Sequence, residues 1–296
     1  PLDGDSPYYS RSAFAMNERL ISLDFLYRAG WLKRERYDQY RQEAAGTSSW
    51  DEAWQCKERA LWDMSHDPDL VIPWQPFDTF CRKNKSWLDD YALFCAVRDF
   101  FKGKAWTEWR EDIARHEDAA CARYRKELAG AVDHYRFLQY IVHRQWQDVC
   151  TYAHDNGVSI LGDIPMFVAH DSADCWSHQD LFDLDEAEIQ ECGGRADYFS
   201  AEGQLWGNPL YDYQAMAKDG YDWWVQRFRH TLSLVDEVRI DHFRGFSAYW
   251  SIPAGARTAR EGQWKPAPGE DILRRVYQEL GPVRLIAEDL GIITDD

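Results

Sequence analysis

Hydrophobic spacing changes once along the chain, near Gly157. Before it, apolar residues recur every three or four positions among many charges, which predicts a mostly helical region from about Leu20 to His154. The helices predicted there cover residues 20–44, 50–65, 86–102 and 112–155. After Gly157, short β-branched runs alternate with helical spacing, and the helices expected there cover residues 212–234 and 270–280. The second half is therefore predicted to alternate strands with helices.

Three of the apolar runs end in acidic residues. They read ILGD, VRID and LIAED, and they finish at Asp163, at Asp241, and at Glu288 with Asp289. Parallel barrels present their functional groups at strand ends that open into loops. The pattern therefore predicts an α/β fold of the parallel (β/α)8 TIM type, incomplete in this chain. An open doubly wound sheet is the alternative, although it usually carries a glycine-rich phosphate loop that this sequence lacks.

The same pattern divides the chain into regions. We expect residues 1–296 to be part of one catalytic barrel domain, with 20–155 as a mostly helical insertion and 157–296 as the β/α units that carry the acidic strand ends. Residues 1–16 and 191–209 are rich in turn formers and lack periodicity, so they are predicted to be loops. A long loop in a compact domain is usually functional.

Composition excludes several classes of partner. The net charge of −17 argues against nucleic acid and anionic membranes, whereas a neutral polar substrate meets no such penalty. The chain contains 15 Trp, 16 Tyr and 14 Phe, and flat rings of this kind can pack on the apolar faces of sugars. Trp87, Trp106, Trp109 and Trp146 lie at helical spacing, which favours a role in helix packing.

Cysteine usage indicates the compartment. The seven cysteines are widely spaced without any C-x-x-C, which predicts neither a zinc site nor a disulfide framework. A reducing, cytoplasmic environment is therefore expected. No run of 18 apolar residues and no signal peptide are visible. Because the chain starts at Pro1 and stops at Asp296 without a helix end, we expect a fragment at both ends.

The acidic strand ends have the residue types that glycosidic-bond chemistry needs. Retention requires two carboxyl groups about 5–5.5 Å apart, and adjacent strands lie about 4.8 Å apart, so Asp241 and Glu288 on consecutive strands are candidates. Arg239 shares a strand face with Asp241 and should keep it ionised, as suits a nucleophile. Glu288 follows apolar residues, which should raise its pKa, as suits a general acid.

Other interpretations of these residues remain open. Arg239 and Asp241 could form a structural ion pair to which Glu288 also belongs. His242 beside Asp241, or His170 near Asp163, could contribute metal ligands, but the usual spacings for zinc and calcium are absent, so no metal or other cofactor is expected. A serine hydrolase would require a G-x-S-x-G motif, which this sequence lacks.

Several motifs in order resemble the 4-α-glucanotransferases, the amylomaltase or disproportionating-enzyme family of the α-amylase superfamily. They run through essentially the whole chain, and WGNP, VRIDHFRGF and AEDLG are the most specific. The other matching segments are DSPYYSRSAFA (5–15), FCRKNKSWLDDYALF (80–94), GDIPMFVAHDSADCW (162–176) and DYFSAEGQLWGNPLY (197–211).

The resemblance implies a retaining double displacement on α-1,4-glucans such as maltooligosaccharides. It places Asp241 at the nucleophile position, Glu288 at the acid/base position and Arg239 at the conserved arginine beside the nucleophile. Residues at positions that line sugar subsites are Asp163, Trp206, Ser6 and Tyr8. Residues in a segment similar to the family's flap over the active site are Tyr198, Phe199 and Gln204.

The chain also departs from the family pattern. Met16-Asn17-Glu18 stands where Asn-Pro usually follows SAFA, and Arg195-Ala196 stands where Pro-Pro usually precedes DYFS. The HDN motif that carries the family's third catalytic aspartate is absent from these 296 residues. We therefore expect the isolated chain to be poorly soluble and inactive. A retaining glucan hydrolase and a non-catalytic glucan-binding protein remain alternative functions.

Overall fold

A computed structural model describes residues 8–67, 69, 74–184, 190–194, 202–253 and 255–288. The chain divides into two compact units. One, the strand-bearing unit, comprises residues 1–14, 105–116 and 152–296. The other, the helical unit, comprises residues 15–104 and 117–151.

The first eight helices, α1 to α8, fall mainly in the helical unit; only α6 and the last residues of α8 belong to the strand-bearing unit. They are α1 (Leu23–Arg28), α2 (Arg34–Ala45), α3 (Trp50–Ser65), α4 (Trp74–Lys83), α5 (Lys85–Phe100), α6 (Glu111–Ala114), α7 (Asp118–Glu127) and α8 (Ala129–Asp155). Helix α5 is the centre of the helical unit, because Leu88, Leu93 and Phe94 are fully buried. Trp87 on α5 stacks on His143 of α8, with ring centroids 5.9 Å apart, so this tryptophan packs helices as predicted.

The strand-bearing unit contains two sheets. Strands β1 (Leu161–Ile164), β5 (Glu237–Ile240) and β8 (Leu285–Ala287) form a parallel sheet in the order β1-β5-β8. A second sheet has the order β2-β4-β3-β6-β7, and its paired strands are antiparallel. Its members are β2 (Phe182–Asp183), β3 (Gln190–Gly194), β4 (Gln204–Tyr211), β6 (Ala248–Pro253) and β7 (Gln263–Pro266).

Helices cover one face of the parallel sheet. The helices of this unit that follow α8 are α9 (Ala173–Ser177), α10 (Tyr213–Lys218), α11 (Asp222–Leu232) and α12 (Gly269–Leu280). Helix α11 packs on both α12 and β5. Val238 and Ile240 of β5 are fully buried, whereas Leu161 and Ile286, on the face that carries Arg239, are 52% and 44% exposed. The polar residues of β1 and β5 therefore project from the more open face of the sheet.

The structure confirms an α/β fold with parallel strands and corrects several predicted boundaries. Residues 20–44 contain two helices, separated at Gly30, which has a φ of 75° that only glycine adopts readily. Residues 212–234 also contain two helices. The predicted loop at 191–209 instead includes most of β3 and the start of β4, because glycines and polar residues masked the strand pattern. Among the described residues, no helix combines the length and apolarity needed to cross a bilayer.

Candidate active site

The acidic residues that follow β5 and β8 lie side by side. Ile240 of β5 pairs in register with Ala287 of β8, so the next residues, Asp241 and Glu288, occupy equivalent positions on neighbouring strands. The Asp241 N–H donates to the Ile164 carbonyl at 3.0 Å, and the Glu288 N–H donates to the Ile240 carbonyl at 3.2 Å. These two bonds extend the parallel ladder by one residue and fix both carboxyl-bearing residues at the same edge of the sheet.

The guanidinium group of Arg239 joins three carboxyl groups. Its Nη1 donates to Asp163 Oδ1 at 2.6 Å, and its Nη2 donates to Asp241 Oδ1 at 2.9 Å and to Glu288 Oε1 at 2.5 Å. Arg239 pairs in register with Asp163 of β1, which explains why their side chains leave the same face. The pairing of Arg239 with Asp241 was predicted from period-two spacing, and the structure adds Asp163 and Glu288 to the same cation.

The pKa shifts of the two carboxyls differ in direction from the prediction. Burial, and then Glu288 as a hydrogen-bonding and charged neighbour, raises the pKa of Asp241 despite the opposing effect of Arg239. Burial acts to raise the pKa of Glu288 too, but hydrogen bonds from the His242 N–H, from Asp241 and from Arg239 outweigh it, so this pKa is lowered. These directions are opposite to those expected from the sequence, because the His242 N–H, Asp241 and Arg239 all hydrogen-bond to Glu288.

Tyr8 lies against this group of charges. Its hydroxyl is a hydrogen-bonding partner of Arg239, and burial raises the pKa of Tyr8. The segment that follows is tied to the rest of the unit: the Ala13 N–H donates to Asp174 Oδ2 at 2.7 Å, and the Ala173 N–H donates to the Arg11 carbonyl at 2.8 Å. These bonds fix the chain just after Tyr8 and so restrict where its ring can lie.

Strand β4 brings two further predicted residues near the site. Trp206 meets His242 edge-on, with ring centroids 5.2 Å apart and an interplanar angle of 90°. Trp206 Nε1 donates to Gln204 Oε1 at 2.9 Å, and the Gln204 side chain is exposed. The other predicted substrate contacts, Ser6, Tyr198 and Phe199, lie outside the described residues.

His242 is the residue that sequence reasoning considered only as a metal ligand. Its backbone is left-handed, with φ 51° and ψ 50°, and its N–H donates to Glu288 Oε2 at 2.7 Å. Its Nε2 atom is buried without a hydrogen-bond partner among the described residues, and burial lowers the pKa of the imidazole. The sequence feature that could have marked His242 as a site residue is its position directly after an acidic strand end. In the described part of the chain, no group of three or more His, Cys, Asp or Glu side chains could hold a metal ion.

Fold and site together define the class of protein: an α/β protein with an acidic site at the carboxyl ends of parallel strands, bridged by one arginine and bordered by aromatic rings. The model of the 4-alpha-glucanotransferase family matches residues 1–296, and the chain belongs to this family. The resemblance inferred from the motifs is therefore confirmed.

Individual relatives agree with the family match. The 4-alpha-glucanotransferase of Synechocystis is 41% identical over 302 residues, covering 99% of this chain and 59% of the relative. That of Thermus thermophilus is 38% identical over 297 residues, with coverage of 99% and 59%. The chain therefore spans about three fifths of the length of these curated relatives.

Solved structures give the same result for the fold. Amylomaltase from Streptococcus agalactiae in complex with acarbose aligns with a TM-score of 0.92 and 34% identity over 98% of this chain and 60% of that one. Amylomaltase from Corynebacterium glutamicum aligns with a TM-score of 0.79 over 100% of this chain and 41% of that one, and its 21% identity supports the fold alone.

Proposed function

We propose that this protein is a 4-α-glucanotransferase that transfers α-1,4-glucan segments between maltooligosaccharides. The observation that carries the proposal is the adjacent pair of carboxyls, Asp241 and Glu288, at the ends of parallel strands and bridged by Arg239. Membership in the family and the acarbose complex of the Streptococcus agalactiae relative support the same substrate class. The three parallel strands are then part of a (β/α)8 barrel, with residues 20–155 as a helical insertion.

The two carboxyls divide the reaction between them. Asp241 attacks the anomeric carbon and forms a covalent glycosyl ester while Glu288 donates a proton to the departing glycosidic oxygen. Glu288, now ionised, takes the proton from an acceptor hydroxyl, whose oxygen displaces Asp241 from the anomeric carbon. The two displacements retain the α configuration, and the proton and both carboxyls are restored at the end of the cycle.

The first step needs an ionised Asp241 beside a protonated Glu288. When the pair holds one proton, that proton can lie on either carboxyl. The two side chains are hydrogen-bonding partners, so moving this one proton from Asp241 to Glu288 creates both the nucleophile and the acid. Arg239 contacts both groups and stabilises whichever one is ionised.

The predicted sugar contacts surround this pair. Asp163 and Tyr8 flank Arg239, and both present oxygen atoms that can bind sugar hydroxyls. Trp206 offers a ring beside His242 for packing against a sugar face. We also assign Ser6, Tyr198, Phe199 and Gln204 to substrate binding on the family resemblance. No cofactor takes part in this mechanism, and we place the protein in the cytoplasm because its cysteine pattern suits a reducing compartment.

A test uses the full-length protein and the Asp241→Asn variant, with maltotriose as the only substrate. We expect the wild type to produce glucose and longer oligosaccharides with little net gain of reducing ends. The variant should lose about three or more orders of magnitude in rate while it still binds maltotriose, because an amide cannot form the ester. Unchanged turnover in the variant contradicts the proposal. A steady gain of reducing ends indicates a hydrolase, and sugar binding by the wild type without turnover indicates a glucan-binding protein.

A further inference from the structure

The turn after β5 has an unusual backbone conformation at His242. A residue other than glycine rarely adopts a φ of 51° with a ψ of 50°, although histidine, asparagine and aspartate do so more often than most. Such conformations persist where the surroundings enforce them, and they concentrate at functional sites. Here the Gly245 N–H donates to the His242 carbonyl at 2.8 Å and closes the turn.

Packing around the turn leaves little room for a different arrangement. A side chain added at Gly245 would place its Cβ 2.8 Å from Met166 Cγ and 3.3 Å from His242 Cδ2. Trp206 lies edge-on against the imidazole on another side. The ring of His242 therefore packs beside Gly245 and Trp206, while the bond from the Gly245 N–H closes the turn.

The turn changes the direction of one backbone N–H. At Asp241 the N–H still donates to the Ile164 carbonyl in the parallel ladder. At the next residue, His242, the N–H instead donates to the side chain of Glu288, at Oε2. Arg239 donates to the other oxygen, Oε1, so both oxygens of the carboxyl are held and its plane is fixed.

We infer that His242 is a positioning residue for the acid/base carboxyl, and that it acts through its backbone. The left-handed turn presents the N–H that orients Glu288, and the histidine is suited to this position because it tolerates that conformation. This inference rests on the proposed function, since it concerns the group that protonates the leaving oxygen.

The inference has a consequence for pH dependence. Among the described residues, the charged or titratable groups that face Glu288 are Arg239, Asp241 and the imidazole of His242. A backbone N–H that donates to a carboxylate favours its ionised form. Removing that bond should raise the pKa of Glu288 and move the basic limb of kcat/KM to higher pH, while the misplaced carboxyl lowers the maximum rate.

The experiment compares three substitutions in the full-length protein. His242→Val introduces a β-branched residue that disfavours a positive φ, whereas His242→Asn and His242→Gly both tolerate it. With maltotriose as donor, we expect His242→Val to lose about 10- to 100-fold in kcat/KM, the range for one hydrogen bond to a charged group. We expect the Asn and Gly variants to lose no more than about threefold.

A second glycosyl donor distinguishes a misplaced acid/base carboxyl from general damage to the active site. With α-maltosyl fluoride, the C1–F bond breaks as the bond from Asp241 to C1 forms, and fluoride leaves with the electron pair without needing a proton. The first-turnover release of fluoride by His242→Val should therefore stay close to the wild-type rate. Thermal unfolding of each variant checks that it is folded.

Three results would overturn the inference. They are equal losses in the Asn, Gly and Val variants, a His242→Val rate with maltotriose equal to that of the wild type, and an equal loss of His242→Val with both donors. If the wild type neither releases fluoride nor transfers glucan, the proposed function fails and this inference fails with it. If the wild type does both, a failure concerns His242 alone.

Discussion

Two arginines of the strand-bearing unit show how differently a guanidinium group can be used. Arg227 on α11 is only 2% exposed, and it donates to the carbonyls of Met166, at 3.3 Å, and Pro165. It lies over the rings of Trp223 and Trp224, 5.2 Å from each centroid. The side chain of Arg239 is 30% exposed and contacts three carboxyl groups.

The two arginines differ in the chemistry of their hydrogen-bond acceptors. Arg227 also donates to the Tyr211 hydroxyl at 3.4 Å, and its carbonyl acceptors have no charge to gain or lose at ordinary pH. Three carboxyl groups surround the single cation of Arg239, and the titrations of Asp241 and Glu288 depend on each other. The first cluster stabilises the fold, and the second has the unbalanced charge that acid–base chemistry needs.

Among the variants that test this contrast, replacing Arg239 should give the largest effect. In Arg239→Gln, kcat/KM for maltotriose is expected to fall about 10²–10³-fold, because a fixed positive donor next to the reacting charges is lost. The acid limb of the pH profile should move to higher pH, since Arg239 lowers the pKa of Asp241. Steady-state kinetics from pH 4 to 9 checks both expectations.

A nearby arginine provides the matched control. Arg229 on α11 pairs with Glu279 at 3.8 Å, and its side chain is 45% exposed. Arg229→Gln should leave activity near the wild-type value, since exposed pairs contribute little. If Arg239→Gln unfolds the protein while the activity of its folded fraction is unchanged, Arg239 belongs with Arg227 as a structural residue and the contrast between the clusters is wrong.

Much of the parallel sheet could be predicted from the sequence. The runs that end at Asp163, Asp241 and Glu288 are short and apolar, and each is in fact a strand or its end. Period-two spacing also predicted that Arg239 and Asp241 share a face, and the two are bonded. These features depend on neighbours within a few residues, where local pattern is informative.

The remaining features depend on contacts between distant residues. The bond from Arg239 to Glu288 follows from the register of β5 and β8, which no local spacing specifies, and it is one of the bonds that lower the pKa of Glu288. The left-handed turn at His242 is closed by a bond from the Gly245 N–H, and Trp206 packs on its ring. The antiparallel sheet was missed at β3 because two of its five residues are glycines, which leave no apolar alternation to detect.

A smaller effect is expected at Asp174, which lies near Arg227. Asp174→Ala should cost about 1–3 kcal/mol in the free energy of unfolding, because the N–H of Ala13 loses its acceptor. Asp174→Asn keeps an acceptor oxygen and should be much less destabilised. Chemical unfolding at pH 7 measures both, and equal losses would show that the bond to Ala13 is not the source of the stability.

Comparing the stability of the wild type and Asp174→Asn over a range of pH tests the direction of the Asp174 pKa shift. Burial raises the pKa of Asp174 even though the Ala13 N–H opposes the shift. A carboxyl with a raised pKa contributes its stability below the unfolded-state pKa, and the contribution is lost as pH rises through the folded-state value. The wild type should therefore lose stability relative to Asp174→Asn as the pH increases from about 4, the pKa of an unfolded aspartate. A parallel pair of stability curves would contradict this.

The smallest effect is expected at Asp236. Like Asp174, it accepts a hydrogen bond from a backbone N–H, but unlike Asp174 it is not buried. Its carboxylate accepts from the Ile160 N–H at 2.7 Å, the same distance as the bond from Ala13 to Asp174. It also contacts His154 Nε2 at 2.9 Å. The Ile160 N–H, followed by His154, lowers the pKa of Asp236, so two aspartates with equal backbone bonds shift in opposite directions.

Asp174 and Asp236 therefore differ mainly in burial. The pH dependence of the stability of Asp236→Asn should be opposite to that of Asp174→Asn. A lowered pKa contributes stability above the unfolded-state value and loses it as pH falls through the folded-state value. Asp236→Asn should be less stable than the wild type at pH 7, by less than about 2 °C in Tm because the site is exposed. The difference should vanish in acid, and thermal unfolding from pH 3 to 7 measures it. A difference that grows in acid would mean that the folded-state pKa of Asp236 is raised, and the contrast with Asp174 would then be wrong.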